Sequence, residues 1–115
     1  MADLSKRGRG RWGEDLAARH YLHRGATVLD RNWRCPLGEL DLVVDDHGTY
    51  VFVEVKARRS EAYGPAAAAV GPEKQRRIRQ LAIEWLRANE VPFVDLRFDV
   101  VAVTGVRVDC IEAAF

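Results

Sequence analysis

The chain has 115 residues, enough for one domain whose hydrophobic core needs no disulfide or metal to hold it together. Its formal net charge of +1 does not by itself indicate a nucleic-acid-binding protein, so the placement of the charges matters more than their sum. Two distant cysteines give no zinc-ligand spacing, and we find no membrane-spanning apolar run or signal peptide, so we expect a cytoplasmic protein with no membrane partner.

The N-terminal segment divides into a basic arm and a helix. Residues 1–10 mix glycine with lysine and arginine, which predicts a flexible basic arm ahead of a single domain over residues 11–115. From Arg11 onward apolar side chains recur every three to four residues, as in a helix that ends at Gly25. The expected apolar face of this helix consists of Trp12, Leu16, Ala17, Tyr21 and Leu22.

The middle of the chain has the pattern of β-strands. Residues 27–33 predict a short strand, and residues 39–45 and 49–56 alternate as the two arms of a β-hairpin around a turn at 46–48. On the first arm Leu40, Leu42 and Val44 are expected to share a face. On the second arm the valines share one face, and the other face carries Tyr50, Phe52, Glu54 and Lys56.

The remaining elements complete an α/β fold. Gly71-Pro72 opens a second helix that Asn89 and Pro92 end. Residues 96–103 form a near-continuous apolar strand, expected near the centre of a sheet, and residues 106–111 fit a last strand. The core stripe of the second helix is expected at Ile78, Leu81, Ala82 and Trp85. The predicted order is αβββαβ with one further strand, in a mixed central sheet flanked by helices.

Ionisable residues interrupt the two hairpin strands. Because burying a charge costs free energy unless it is paired or bound to a metal, Asp41, Glu54 and Lys56 are candidate site residues. A two-residue turn at His47-Gly48 would place Asp41 opposite Glu54, whereas a four-residue loop would shift the pairing by two and keep the same faces. Two carboxylates beside a lysine suit Mg²⁺ or Mn²⁺ and phosphodiester cleavage. The alternative is a solvated ion pair.

Other charged residues fit the same site. Glu14 lies in line with alanines that would let its helix approach a sheet closely, although an acid in the first turn of a helix is favourable by itself. Basic residues cluster in the arm, after the third strand and at the start of the second helix, where they would bind phosphates or form solvated faces. The candidate nucleic-acid contacts are Lys6, Arg7, Arg9, Arg11, Arg58, Arg59, Lys74 and Arg77.

Several motifs occur in an order that resembles a known family. They are Gly13-Glu14 with Ala17, Tyr21-Leu22 and Gly25; Arg31-Asn32-Trp33; Gly38-Glu39-Leu40-Asp41-Leu42; Phe52-Val53-Glu54-Val55-Lys56-Ala57-Arg58; Lys74 and Arg77-Ile78; and Arg97-Phe98-Asp99-Val100-Val101. With these motifs, from about Gly13 to Val103, the chain resembles the YraN-like family of small bacterial proteins. That family is placed in the PD-(D/E)xK nuclease superfamily and is similar to archaeal Holliday junction resolvases.

The resemblance implies a restriction-endonuclease-like core and a role for each candidate residue. It implies Asp41 and Glu54 as metal ligands, Lys56 as the catalytic lysine and Glu14 as an additional carboxylate of the catalytic set. The expected function is a metal-dependent endonuclease that uses Mg²⁺ or Mn²⁺ and acts on DNA, with branched or single-stranded structures as candidate substrates. The alternative is a non-catalytic nucleic-acid-binding or adaptor protein of the same fold, and a homodimer is left open.

Overall fold

A computed structural model describes residues 6–58 and 70–115, with the side chains of the first helix described from Gly10 onward. The helices and strands are α1 Lys6–His23, β1 Thr27–Cys35, β2 Gly38–Asp46, β3 Thr49–Arg58, α2 Pro72–Ala88, β4 Asp95–Thr104 and β5 Arg107–Ile111. The predicted αβββαβ order with one further strand is confirmed. None of the helices in these two ranges is long and apolar enough to cross a membrane.

The five strands form one mixed sheet whose spatial order is the order of the chain. β3 and β4 are parallel and are connected through α2, whereas all other neighbouring strands are antiparallel. β4 has a strand on each side, as its near-continuous apolar sequence predicts. The α/β class and the mixed central sheet flanked by helices are therefore confirmed.

Each helix covers one face of the sheet. α1 packs through Ala17, Ala18 and Tyr21 on a layer of buried side chains that includes Leu42, Val44, Val51, Val53, Val101 and Val103. α2 packs on the other face through the predicted stripe Ile78, Leu81, Ala82 and Trp85. The sheet residues of that layer include Val43, Phe52, Phe98, Val100 and Ala102. The period-two alternation of the strands thus separates two cores, one under each helix.

Helix α1 starts earlier than the sequence pattern indicates. It begins at Lys6, so residues 6–10 of the predicted flexible arm are helical, and residues 1–5 lie outside the described part of the chain. Lysine and arginine are good helix formers and offset part of the unfavourable helix propensity of the two glycines, and extension of a helix that is already nucleated avoids the cost of nucleation. The composition of residues 1–10 predicted a flexible arm, whereas the backbone of residues 6–10 continues the helix.

The packed face of α1 is narrower than predicted. Ala17 and Tyr21 are fully buried, but Trp12 is 47% and Leu22 53% exposed, so the expectation that both belong to the apolar face is wrong. Gly13 explains the difference, because a Cβ atom placed there would come within 3.1 Å of the Ala57 Cβ atom. The helix approaches the sheet closely through Gly13 and Ala17, Tyr21 continues this buried row, and Trp12 and Leu22 lie at its flanks.

A buried ionic network occupies the end of the sheet near the hairpin turn. Asp99 is 0% exposed and accepts hydrogen bonds from the Tyr21 hydroxyl at 2.7 Å, from Nε of Arg97 at 2.9 Å and from the Ala113 backbone N–H at 3.0 Å. The Arg97 guanidinium also donates to the buried Asp46 at 2.9 Å. Arg24 donates to the same Asp46 oxygen at 3.0 Å, so two guanidinium groups balance the two buried carboxylates, and the network joins α1, β2 and β4.

Candidate functional site

The hairpin register is the one expected for a two-residue turn. Asp46 pairs with Thr49 across His47 and Gly48, and both turn residues have positive φ, as a type I′ turn requires. The regular pairing of β2 with β3 ends at the pair Leu42 and Val53. The alternation in β2 breaks at this point.

Asp41 lies just before the part of β2 that pairs with β3. It forms no ladder pair with Glu54, and its Oδ2 instead accepts the backbone N–H of Val55 at 2.9 Å. The break in the alternation of β2 places Leu40 in the core beneath α2 and Leu42 in the core beneath α1. The prediction that these two leucines share a face is therefore wrong. The backbone hydrogen bond holds the Asp41 carboxylate beside β3.

Glu14 reaches the same region from α1. Gly13 lies against Ala57 and Val55 of β3, and this close approach is available only because glycine has no side chain. Glu14, the next residue, is directed toward β1 and β2, where its Oε2 lies 4.0 Å from the Arg31 guanidinium. The sequence prediction that small residues would bring this helix carboxylate close to the sheet agrees with this geometry.

Three carboxylates converge at this point. One oxygen each from Glu14, Glu39 and Asp41 lie within 4.8 Å of one another, a spacing at which a single cation could contact all three. Arg34 on β1 donates to Glu39 at 3.0 Å and thereby holds it. Glu39 was missed as a site residue, although its position two residues before Asp41 was the available signal.

Glu54 adjoins this cluster and contacts two lysines. Its Oε1 lies 2.6 Å from Nζ of Lys74 on α2 and 3.6 Å from Nζ of Lys56 on β3. Lys74 was predicted as a phosphate contact from its basic cluster, and here it forms the shorter of the two ion pairs. The site therefore combines four carboxylates and two ammonium groups from α1, β2, β3 and α2.

The model of the uncharacterised protein family UPF0102 matches residues 13–103, a region that contains all the carboxylates and lysines of this site. The chain belongs to the UPF0102 family. A UPF0102 protein of Frankia casuarinae is 53% identical over 111 residues, covering 92% of this chain and 94% of the relative. One of Syntrophus aciditrophicus is 43% identical over 110 residues, covering 92% and 87%. The YraN-like assignment made from the motifs is thus confirmed.

The basic residues of this UPF0102 chain lie in different settings. Arg11 and Arg77 are exposed, and Arg58 is half-buried at the end of β3. The side chains of Lys6, Arg7 and Arg9, and the whole of Arg59, lie outside the described part of the structure. The predicted nucleic-acid contacts that can be located are therefore at the N-terminal end of α1, at the end of β3 and on α2.

Electrostatic repulsion is concentrated on Asp41. Burial, followed by the charge of Glu54, raises the pKa of Asp41 from 3.8 to about 7, although the hydrogen bond from Val55 lowers it and Glu14 and Glu39 raise it further. A dication among these groups would relieve the repulsion, because it interacts favourably with every carboxylate. The UPF0102 site is thus electrostatically suited to a cation.

The two lysines share the charge of Glu54 unequally. Burial lowers the pKa of Lys56 and the positive charge of Lys74 lowers it further, against the opposing negative charges of Glu54 and Asp41. Burial also disfavours the charged form of Lys74, but its hydrogen bond to Glu54 and the negative charges of Glu54 and Asp41 together outweigh burial and raise the pKa of Lys74. Lys56 is thus the ammonium that is less firmly held by the carboxylate.

Replacing Asp41 by asparagine is expected to raise Tm in the presence of a chelator, and to do so more at about pH 8 than at about pH 5. The parent carboxyl binds its proton more tightly when folded, with a pKa of about 7 against 3.8, so its stabilising contribution is lost as pH rises through about 7. Asparagine keeps an oxygen for the Val55 N–H and carries no charge. Thermal melting of both proteins across this pH range measures the effect; a difference of several degrees is expected at the higher pH. An equal difference at both pH values would contradict it.

Proposed function

We propose that the chain is a cytoplasmic, metal-dependent endonuclease that hydrolyses phosphodiester bonds in DNA. The observation that carries the proposal is the convergence of the Glu14, Glu39 and Asp41 carboxylates within 4.8 Å, next to a Glu54 that contacts two lysines. An adaptor needs no such collection of mutually repelling acids. The family resemblance stated from the motifs supports the same reaction.

The donor set fits a hard divalent cation. Oxygen ligands from carboxylates, completed by water, are those that Mg²⁺ and Mn²⁺ prefer. Burial raises the pKa of Asp41 most, and the charges of Glu54, Glu14 and Glu39, which raise it further, are those that a cation would neutralise. Asp41 and Glu54 were the ligands predicted from the sequence, and Glu14 and Glu39 are added by their proximity to Asp41. A bound ion would supply a hydroxide nucleophile at neutral pH and polarise the phosphate.

The two lysines would stabilise the negative charge that develops on the phosphate in the transition state. Hydrolysis adds water across a P–O bond: the hydroxide oxygen bonds to phosphorus, the bond to a deoxyribose oxygen breaks, and that oxygen takes up a proton. Lys56, the less firmly held ammonium, is suited to orient the attacking water or to stabilise the phosphate oxygens in the transition state. Lys74 balances Glu54 and is the second cation within reach of a bound phosphate.

Exposed basic residues around the site would hold the polynucleotide. Arg11 precedes the site on α1, and Arg77 lies one turn after Lys74 on α2, over Gly38 at the start of β2. Contacts of this kind bind phosphates with little regard to sequence, so affinity would fall steeply with salt concentration. A net charge of only +1 does not oppose this role, because the basic groups are local.

The direct test is a cleavage screen over duplex, single-stranded, flap and four-way-junction DNA, with Mg²⁺, with Mn²⁺ and with chelator. We expect cleavage of at least one substrate that requires the metal, and loss of that cleavage in Asp41→Asn. Binding of DNA without cleavage of any substrate, by a parent protein that also binds no Mn²⁺ in calorimetry, would favour the adaptor alternative instead.

A further inference from the structure

Trp12 is an exposed aromatic side chain held in one orientation. It lies in the N-terminal half of α1 and is 47% exposed, yet its indole N–H donates to the Gly105 carbonyl oxygen at 3.1 Å. Gly105 belongs to the turn between β4 and β5, and its neighbour Val106 is 80% exposed. One edge of the ring is therefore anchored to the turn while much of its surface remains in contact with solvent.

Trp12 and the carboxylate cluster lie on opposite flanks of the same helix turn. Gly13 faces β3, against Ala57 and Val55. The side chains of Trp12 and Glu14, one on each side of Gly13 in the sequence, point about 200° apart around the helix axis, because each residue turns the helix by about 100°. Glu14 is directed toward β1 and β2, and Trp12 toward the turn after β4. A helix is about 10–12 Å across with its side chains, so a short run of nucleotides could reach from the carboxylates to the ring.

Basic residues lie near Trp12 in the sequence and in the sheet. Arg11 is exposed beside it, and Arg58, the last residue of β3, pairs with Thr104 immediately before the turn that holds the indole. Lys56 lies two residues earlier on the same strand, within the site. The sequence from Lys6 to Gly10 adds three further basic residues to the same helix. An anionic chain that carries flat apolar groups matches this combination of charge and exposed ring.

We propose that Trp12 is a stacking platform for an unpaired nucleobase, and that the site accepts single-stranded DNA. A base within a duplex is stacked on its neighbours and offers no free face, whereas an unpaired base stacks on an aromatic ring irrespective of its identity. The anchored indole loses little freedom when a base stacks on it, because its orientation is already fixed. The inference rests on the proposed function for the course of the strand past the carboxylates.

The test compares Trp12→Phe with Trp12→Leu in the full-length protein. Both substitutions remove the N–H that binds Gly105, but only phenylalanine keeps an aromatic face. The ligands are a labelled oligothymidylate of about 15 nucleotides and a duplex of equal length, bound in the presence of chelator so that no cleavage occurs. Fluorescence anisotropy gives the two affinities, and thermal melting checks that each variant is folded.

The expected result is selective. Trp12→Leu should weaken oligothymidylate binding by about 5- to 100-fold and leave duplex binding within about threefold, whereas Trp12→Phe should bind the oligothymidylate within about threefold of the parent. The parent's tryptophan fluorescence should be quenched by the oligothymidylate, and this quenching should be lost in both variants. Equal losses in the two variants, equal effects on duplex, or parental binding by Trp12→Leu would each overturn the inference and leave Trp12 as an anchor for the turn.

The outcome is separable from that of the cleavage screen. A parent protein that cleaves no DNA with Mn²⁺, but shows the selective loss in Trp12→Leu, would retain the stacking platform and lose the nuclease function. A parent that cleaves only duplex DNA, with Trp12→Leu as active as the parent, would retain the nuclease and reject single-stranded DNA as its ligand.

Discussion

Lys56→Ala is expected to bind Mg²⁺ at least as tightly as the parent while its rate of DNA cleavage falls by about 10²-fold or more. The Lys56 ammonium lies 3.6 Å from Oε1 of Glu54, so its removal takes away a cation that would repel a dication and leaves every carboxylate in place. In the proposed mechanism this ammonium acts on the water or on the phosphate in the transition state. Only the cleavage rate should therefore report its loss.

Glu54→Gln is expected to fail differently, losing metal affinity and cleavage together. Lys74→Met supplies the matched comparison, because it removes the nearer ammonium, 2.6 Å from the same oxygen, and leaves Lys56 in place. It should strengthen Mg²⁺ binding more than Lys56→Ala and retain more of the cleavage rate. The measurements are calorimetric titration with Mg²⁺ and a single-turnover cleavage assay, with thermal melting as the control for folding.

These variants also test the alternative reading of the site. If Lys56→Ala cleaves at the parental rate, or if Lys56→Ala and Glu54→Gln both simply unfold, the charges form a structural ion pair. The non-catalytic adaptor would then be the better description of the chain.

Arg97→Met is expected to lower the free energy of unfolding by about 3–5 kcal/mol. Asp99 is 0% exposed and, within the described part of the chain, Arg97 is its cationic partner, whereas Asp46, 6% exposed, also accepts a hydrogen bond from Arg24 at 3.0 Å. Removal of Arg97 leaves the charge of Asp99 buried without a cationic partner, which costs far more than the net contribution of the intact pair. Since domains of this size are stabilised by about 5–15 kcal/mol, the variant should fold but melt ~10 °C or more below the parent.

The chain provides a close control for this prediction in β5. Arg107 and Asp109 are also two residues apart on a strand, with Nε 3.0 Å from a carboxylate oxygen, compared with 2.9 Å for Arg97 and Asp99. Both members of the control pair are about half exposed, so Arg107→Met should change stability by at most about 0.5 kcal/mol. Urea unfolding of the two variants measures the difference. Similar losses in both would show that burial does not set the cost.

Short-range patterns in the sequence determined most of the fold. The apolar period of α2 predicted all four of its buried residues, and Gly71-Pro72 and Asn89 marked its ends. For the hairpin the sequence offered two registers, and the structure adopts the one that the two-residue turn at His47-Gly48 predicts. These signals depend on residues a few positions apart, so they can be read without knowledge of the rest of the chain.

The sequence also identified most of the candidate site, because acids on strands that face a core are conspicuous. Asp41, Glu54 and Lys56 were found in this way, and Glu14 through its neighbouring small residues and the family resemblance. Glu39 and the ion pair of Lys74 with Glu54 were not found. A Glu at the start of a strand and a Lys on a helix are ordinary surface residues until the positions of other elements are known.

The tertiary structure alone decided how these groups meet. β2 pairs with β3 only from Leu42 onward, so Asp41 accepts a hydrogen bond from Val55 instead of facing Glu54 as the extrapolated register required. Likewise Trp12, which has the spacing of a core residue, is exposed because Gly13 brings α1 onto β3 along a narrower line. Periodicity determines which side chains share a face of one element, whereas the packing of whole elements determines where that face ends and which distant charges it brings within contact distance.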